Sequence, residues 1–349
     1  MMKIKSKILK ILGVVAIFLF AYSCNKKEET KFIDQTTGKQ ESIKVIRFDR
    51  ELFAVPKPNM EEFLKNLQTR CPEMFSASME DKEYLQMIER FITDEYLLDA
   101  QDIVQRNYAD LSFLEKDLTM AFANLQKHSK GIKLPQRLFS MILGPAEYSY
   151  VFENRCYTNG DYSAIALDIY SFPQIEKNPY YNTMPQYMTA TLNKDYIASD
   201  FMRMYLKNVI YINTPNVQMN PDCTLLDAII DEGKYSYITQ NILPSYSLHQ
   251  ILRYTNEQLQ WCEDNEKVIW AYIIENRLLY EKDRSKYMSL TAEAPTSKPL
   301  SDSPARVGHY IGYKIVKNFM DKEKISFDSL MHLTDSQGIL KKSNYKPAK

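Results

Sequence analysis

Three carboxylates crowd one apolar stretch. Asp227, Asp231 and Glu232 lie within residues 224–238, which read Thr-Leu-Leu-Asp-Ala-Ile-Ile-Asp-Glu-Gly-Lys-Tyr-Ser-Tyr-Ile. Leu226, Ile229, Ile230, Gly233 and Tyr237 recur at helical spacing, so the segment predicts a helix with a buried face. Asp227 and Asp231 fall one turn apart on that helix, with Glu232 beside them. Gly233 costs a helix interior about 1 kcal/mol relative to alanine, and a helix keeps such a residue where another backbone must come close. Carboxylates beside a close helix–helix contact could form a site. They fit more readily as the acidic first turns of an ordinary core helix, neutralised by lysine and arginine neighbours. Both readings stay open from this segment alone.

Other chemistry is scarce. A zinc peptidase needs two imidazoles one helical turn apart with a glutamate between them. The four histidines, His128, His249, His309 and His332, are too far apart in the chain for that pattern. His249 and His309 stand alone in polar or mixed surroundings and read as ordinary histidines, not as ligands. No Gly-x-Ser-x-Gly elbow, Walker loop or dinucleotide fingerprint occurs. Asp264, Asn265 and Glu266 sit near Trp261 and Trp270, where a hydrated helix turn beside core tryptophans explains them better than a polar groove does. We therefore expect no catalytic residues, no metal and no cofactor.

At 349 residues the chain is long enough for one large domain. Lys plus Arg and Asp plus Glu balance at 44 each, so no net field favours nucleic acid as a partner. Tyrosine is abundant and glycine scarce, 25 against 9, which suits a helix-rich globule and argues against a repeat or disordered protein.

The first residues carry an address. Lys3, Lys5, Lys7 and Lys10 precede an apolar run, Ile11–Tyr22, too short to span a bilayer comfortably, and Ser23-Cys24 closes it. A cysteine in that position resembles a bacterial lipoprotein signal, cut before Cys24 and acylated on it. Acyl chains contribute roughly 0.8 kcal/mol per buried methylene, so several would anchor the protein to a membrane. The expected division is a signal peptide over 1–23, a lipidated tether over 24–42 and a single domain over 43–349. Asn25-Lys-Lys-Glu-Glu29 resembles a lipoprotein surface-export signal, and reads equally as a solvated tether. Four further cysteines, Cys71, Cys156, Cys223 and Cys262, admit disulfides or buried free thiols.

Along the domain we expect a strand over Ile43–Phe48 running into Arg47–Phe53, then a helix from Asn59 to Arg70 capped by Asn59. Helical runs follow over Met79–Arg106 and Leu111–Lys127, with Leu85, Ile88, Ile92 and Tyr96 as a stripe facing a sheet. Leu138–Leu143 and Ala164–Tyr170 read as strands, separated by turn chemistry at Gly144-Pro145 and Asn159-Gly160-Asp161. Helices are predicted over Asn193–Val209, Leu225–Ile242 (ended by Pro244) and Thr255–Tyr280, the last opened by a Thr255/Gln258 capping box. Ser285–Thr291 adds a short helical turn. Ser303-Pro304 starts the last long helix, where Gly308 and Gly312 invite another close backbone.

Several of these segments together resemble the gliding-motility lipoprotein GldB family. They are Arg47–Phe53, Tyr180-Tyr181 with Met184–Tyr187, Leu225–Tyr235, Trp261–Tyr280, Ser303–Val316 and Tyr345–Pro347. Ala305 and Lys298-Pro299 depart modestly from the pattern. The resemblance implies an envelope lipoprotein required for gliding and linked to the associated secretion machinery. It also implies a distant, eroded likeness to zincin metallopeptidases, in which a His-Glu-x-x-His helix is followed by one bearing Glu-Gly. Glu232-Gly233 fits the second helix, and Ile197-Ala-Ser-Asp-Phe-Met-Arg-Met-Tyr205 stands in the first. Ser199 and Arg203 then occupy the histidine places and Asp200 the glutamate place. Serine and arginine supply no useful zinc ligands. We expect Arg203 to pair with Glu232 or Asp227, its fixed charge standing where a metal would be.

The fold class expected is α+β, predominantly helical, with a zincin-like core, a small sheet and a helical N-terminal portion. The expected function is a non-catalytic protein of the cell envelope, held at the outer membrane through Cys24 and binding other envelope proteins. Two alternatives accompany it: a degenerate or active zincin-like metallopeptidase, and a peptide- or glycan-binding lipoprotein with Trp261, Tyr235 or Tyr237 as stacking surfaces.

Overall fold

Leu138 and Phe139 are neighbours on one strand, yet they point into different cores. Ile165 and Ala164 repeat the pattern on the next strand, as the two-residue period of a strand requires. The sheet between these cores is therefore covered on both faces. The computed structural model describes residues 42–129, 132, 134–145, 155–210, 220–298, 300 and 302–347. Cys24, the expected signal peptide and all but the last residue of the tether lie outside them.

Strand β1 (Val45–Ile46) is followed by helices α1 (Phe48–Phe53), α2 (Met60–Arg70), α3 (Lys82–Thr93), α4 (Glu95–Asn107) and α5 (Ser112–His128). Strands β2 (Arg137–Met141), β3 (Cys156–Thr158) and β4 (Tyr162–Ala166) complete a four-stranded sheet of order β1-β2-β4-β3. The β1–β2 and β2–β4 pairs are parallel, and β3–β4 is an antiparallel hairpin. Its turn uses Gly160 at φ 98°, a conformation open to glycine at little cost. The second half of the chain is helical: α6 (Gln186–Thr189), α7 (Ile197–Tyr205), α8 (Leu225–Ile242), α9 (Leu248–Leu252), α10 (Asn256–Asp264), α11 (Glu266–Glu275), α12 (Arg284–Tyr287), α13 (Val307–Glu323), α14 (Phe327–His332) and α15 (Ser336–Ser343). The fold is α+β and mostly helical. Among the described residues no helix is long and apolar enough to cross a membrane.

Several expectations need correction. Arg47–Phe53 does not prolong a strand. Its apolar residues Phe48 and Leu52 fall on one helical face and pack with Leu64, Leu67 and Phe139. The run Met79–Arg106 breaks at Asp94, whose carboxylate accepts hydrogen bonds from the Tyr96 and Leu97 amides and starts a new helix. Tyr96 therefore leaves the stripe and is exposed. Asn59 precedes α2 without a side-chain capping bond. Thr255 and Gln258 do form a capping box, but the helix they start stops at Asp264, and α11 begins at Glu266. Ser303 caps no helix: its hydroxyl bonds Ser297 and Leu300 carbonyls, and α13 starts only after Arg306, which is left-handed at φ 57°. The four cysteines within the described region are free and buried.

Helices α8 and α13 form the centre. Thr224 and Asp227 cap α8 reciprocally, and Leu225, Leu226, Ile229, Ile230, Ile238 and Ile242 are all buried. A Cβ on Gly233 would overlap the Gly312 carbonyl and stand 2.9 Å from the Tyr313 nitrogen. A Cβ on Gly312 would overlap the Ile229 carbonyl. Only glycine at both places lets the backbones meet. Gly233 and Gly312, read separately as positions needing a close neighbour, are each other's neighbour.

Candidate functional site

The α8–α13 crossing brings one edge of α8 against α7 and against the loops that carry three arginines. Ser199, Asp200 and Arg203 come from α7, Glu232 from α8 and His309 from α13. Arg155 precedes β3, Arg253 ends α9 in a left-handed conformation (φ 57°), and Arg306 takes the same conformation before α13. Glu293 joins them from the loop after α12.

Asp200 is 3% exposed and is surrounded by donors. Its Oδ2 accepts from Arg155 Nε at 2.8 Å and from the Tyr170 hydroxyl at 2.9 Å, and its Oδ1 lies 3.1 Å from Arg253 Nε. Burial alone would raise its pKa, but Arg155 and Arg253 outweigh that and bring it down to about 2. Arg253 Nη1 continues to Glu293 Oε1 at 3.1 Å, and Glu293 Oε2 meets Arg306 Nε at 3.1 Å. Arg306 also donates to the carbonyls of Leu252 and Arg253 at 3.1 and 2.6 Å. Burial would likewise raise Glu293, yet Arg306, Arg253 and Arg155 hold it below the ordinary carboxylate range. The result is an alternating chain of charge: Arg155, Asp200, Arg253, Glu293, Arg306. Buried charges persist only when paired in this way.

A second group abuts the chain. Arg203 forms an ion pair with Glu232 through Nη2 and Oε2, and Lys207 lies 3.9 Å from the other Glu232 oxygen. Burial, with Arg253 and Arg306 close by, lowers Arg203 to about 10, still charged at neutral pH. Asp231 stands behind, raised by burial and opposed by Lys234, Lys207 and Arg203. His309 is 7% exposed. Burial first, then Arg203, Arg306, Lys207 and Arg253, drives its pKa well below the ordinary value, so the ring is neutral.

Of the five residues singled out in the sequence, the structure brings together Asp200, Arg203 and Glu232. Ser199 is adjacent, but its hydroxyl reaches the carbonyl oxygens of Tyr196 and Gln250 at 3.0 and 3.1 Å and is committed to backbone. Asp227 stands apart, because its Oδ2 is bound to the Thr224 hydroxyl at 2.6 Å and to the Thr224 amide at 3.0 Å. Arg155, Arg253, Glu293, Arg306 and His309 were not found from the sequence. The arginines lie in unrelated segments with no shared spacing, and a single histidine has no periodicity. Of the proposed stacking residues, Tyr235 is buried in the core, and Tyr237 is partly buried edge-on against Phe327.

These residues do not fit a catalytic zinc. Such a metal needs three protein ligands and an open position, whereas Ser199 and Arg203 offer none and the nearby carboxylates are taken by guanidinium groups. Among the described residues no three His, Cys, Asp and Glu side chains are grouped to hold a metal ion. A general base also wants a pKa near working pH, and Asp200 and His309 both sit far below it.

No curated protein and no solved structure gives a significant match to this chain. The family described as gliding motility protein GldB matches residues 26–347, nearly the whole sequence and including every residue of the site. With that span covered, the chain belongs to the gliding motility protein GldB family.

Proposed function

We propose that this protein is a lipid-anchored, non-catalytic component of the cell envelope that serves the gliding or secretion apparatus by binding other proteins. The anchor is Cys24, on a tether over 24–42, and the membrane is the outer one. One observation supports the non-catalytic part best. Asp200 and Glu232, the carboxylates with the right placement for chemistry, are both engaged by arginine. On this reading Ser199, Asp200, Arg203 and Glu232 are the remains of a zincin-like centre, with the Arg203 guanidinium standing where a metal would be. What the fold then offers is a rigid, charge-stapled body for partners to dock on.

The experiment is cross-linking in intact cells, run on the native protein and on Cys24→Ser. The native protein should remain in the membrane fraction and bring down defined envelope proteins, and the variant should lose both properties. Cross-links only to peptidoglycan or oligosaccharide would replace this reading with a glycan-binding one. Chelator-sensitive peptide cleavage, or one zinc per purified chain, would overturn the non-catalytic assignment.

A further inference from the structure

Beside the ion network, between α8, α12 and α13, lies a cavity of about 250 Å³. Liquid water takes about 30 Å³ per molecule, so this space suits one amino-acid-sized group and no more. Ala228, Pro221, Cys223 and Tyr287 contribute to its wall, and His309 and Glu232 line it from the side of the network. Among the described lining residues Glu232 is the only carboxylate, and Arg203 already holds it. Lys282 and Arg284 line the cavity as well. Lys282 is engaged by Asp222 at 2.8 Å, whereas the Arg284 guanidinium makes no ion pair or hydrogen bond among the described residues.

His309 supplies an independent observation. Its Nδ1 is buried and has no hydrogen-bond partner among the described residues. A buried polar atom left in that state costs roughly 1–3 kcal/mol, and native proteins rarely tolerate it without a reason. The Tyr287 hydroxyl on the wall is committed, donating to the Cys223 carbonyl at 3.2 Å. The cavity is therefore bordered by an uncommitted guanidinium and a short apolar wall, with the His309 ring lining its inner side and the unsatisfied Nδ1 buried there. A guanidinium matches a carboxylate in shape and charge through two parallel hydrogen bonds. A more highly charged anion would suffer more from Glu232.

We propose that this cavity binds a small monocarboxylate, with its carboxylate on Arg284, a hydrogen-bonding group on His309 and a short side chain against Ala228, Pro221 and Cys223. Two sources carry that chemistry: a free small acid and the C-terminal residue of a peptide. The site goes beyond the docking role proposed above and does not depend on it.

The test uses the full-length protein in detergent micelles. Isothermal titration is run with acetate, N-acetyl-alanine, the matching N-acetyl-alanine amide and a tripeptide ending in a free carboxylate, with inorganic phosphate as a further probe. N-acetyl-alanine should bind and its amide should not. Arg284→Gln, on an exposed residue and so folded, should weaken binding roughly tenfold or more. His309→Gln should weaken N-acetyl-alanine but leave acetate unchanged, and circular dichroism identifies any variant that unfolds. Tripeptide binding comparable to that of N-acetyl-alanine identifies a chain terminus as the source, and binding of N-acetyl-alanine alone identifies a free acid. Equal binding of acid and amide, no binding of any carboxylate at millimolar concentration, tighter binding of phosphate, or indifference to Arg284→Gln would each overturn the proposal.

Discussion

At Gly233, helix α8 touches α13 backbone to backbone; one residue earlier, at Glu232, it faces a cluster of buried charge. The first contact is steric. It tolerates no added atom, carries no charge and has nothing to titrate. The second is electrostatic: its members are long side chains from separate segments, and it persists because each charge is answered by another. Adjacent residues of one helix thus carry two different kinds of constraint. The glycine crossing fixes how far apart α8 and α13 lie. The charged edge fixes what else can approach α8, because Glu232 and Asp200 already have their cations.

Substitution should separate the two. Gly312→Ala is expected to do the most damage, because its Cβ would overlap the Ile229 carbonyl and lie 3.2 Å from the Ile229 Cα. Backbone cannot yield as a flexible side chain can, so the loss should reach about 4 kcal/mol or more, read from the urea unfolding midpoint. The same loss should appear at pH 7 and pH 3. A pH-dependent loss would mean that the crossing is not purely steric.

Asp200→Asn should come next, at about 3 kcal/mol at pH 7, since it leaves Arg155 and Arg253 buried without their shared carboxylate. Here pH dependence is required. The Asp200 carboxyl falls from 3.8 to about 2 on folding, so its contribution is complete above about pH 4 and is lost as pH drops through about 2. That shift corresponds to roughly 2 kcal/mol. Glu293 is displaced in the same direction and adds to the acid sensitivity. The native protein should lose stability below pH 4 more steeply than Asp200→Asn does. Parallel curves would show that Asp200 is not held as an ion by its arginines.

The smallest effect belongs to a surface pair on the same helix as Gly312. Lys317 and Asp321 are 2.6 Å apart but half exposed, so Lys317→Ala should change the midpoint by about 0.5 kcal/mol or less. A larger loss would remove burial as the reason the Asp200 cluster matters.

The two regions were also unequally legible in the sequence. Helix α8 follows from local signals: the Thr224 cap, the 3.6-residue apolar period and Pro244 beyond its end. Gly233 and Gly312 signalled a close approach by their type alone. The arginine network had no such signal. Arg253 and Arg306 adopt left-handed backbone at φ 57°, a conformation uncommon for arginine and dictated by the turns they occupy. The break at Asp94 is hidden in the sequence because an apolar stripe runs on across it, while the carboxylate there caps a new helix. Ser303-Pro304 had the right residues for a helix start, but the chain bends again at Arg306 before α13 begins.

By itself the sequence determined helix α8, the turn at Gly160 and the lack of a histidine pair, because each depends on residues within a few positions of one another; Gly233 and Gly312 each marked a close approach, but not to which neighbour. The family resemblance added an expected pairing of Arg203 with Glu232 or Asp227, of which the Glu232 pair forms. Only the tertiary structure decided that Arg155, Arg253, Glu293 and Arg306 gather around Asp200, and that His309 is stranded beside a cavity. Charge acts through space and takes no account of chain order, so residues 45 positions apart, such as Arg155 and Asp200, become partners only once the backbone has brought them together.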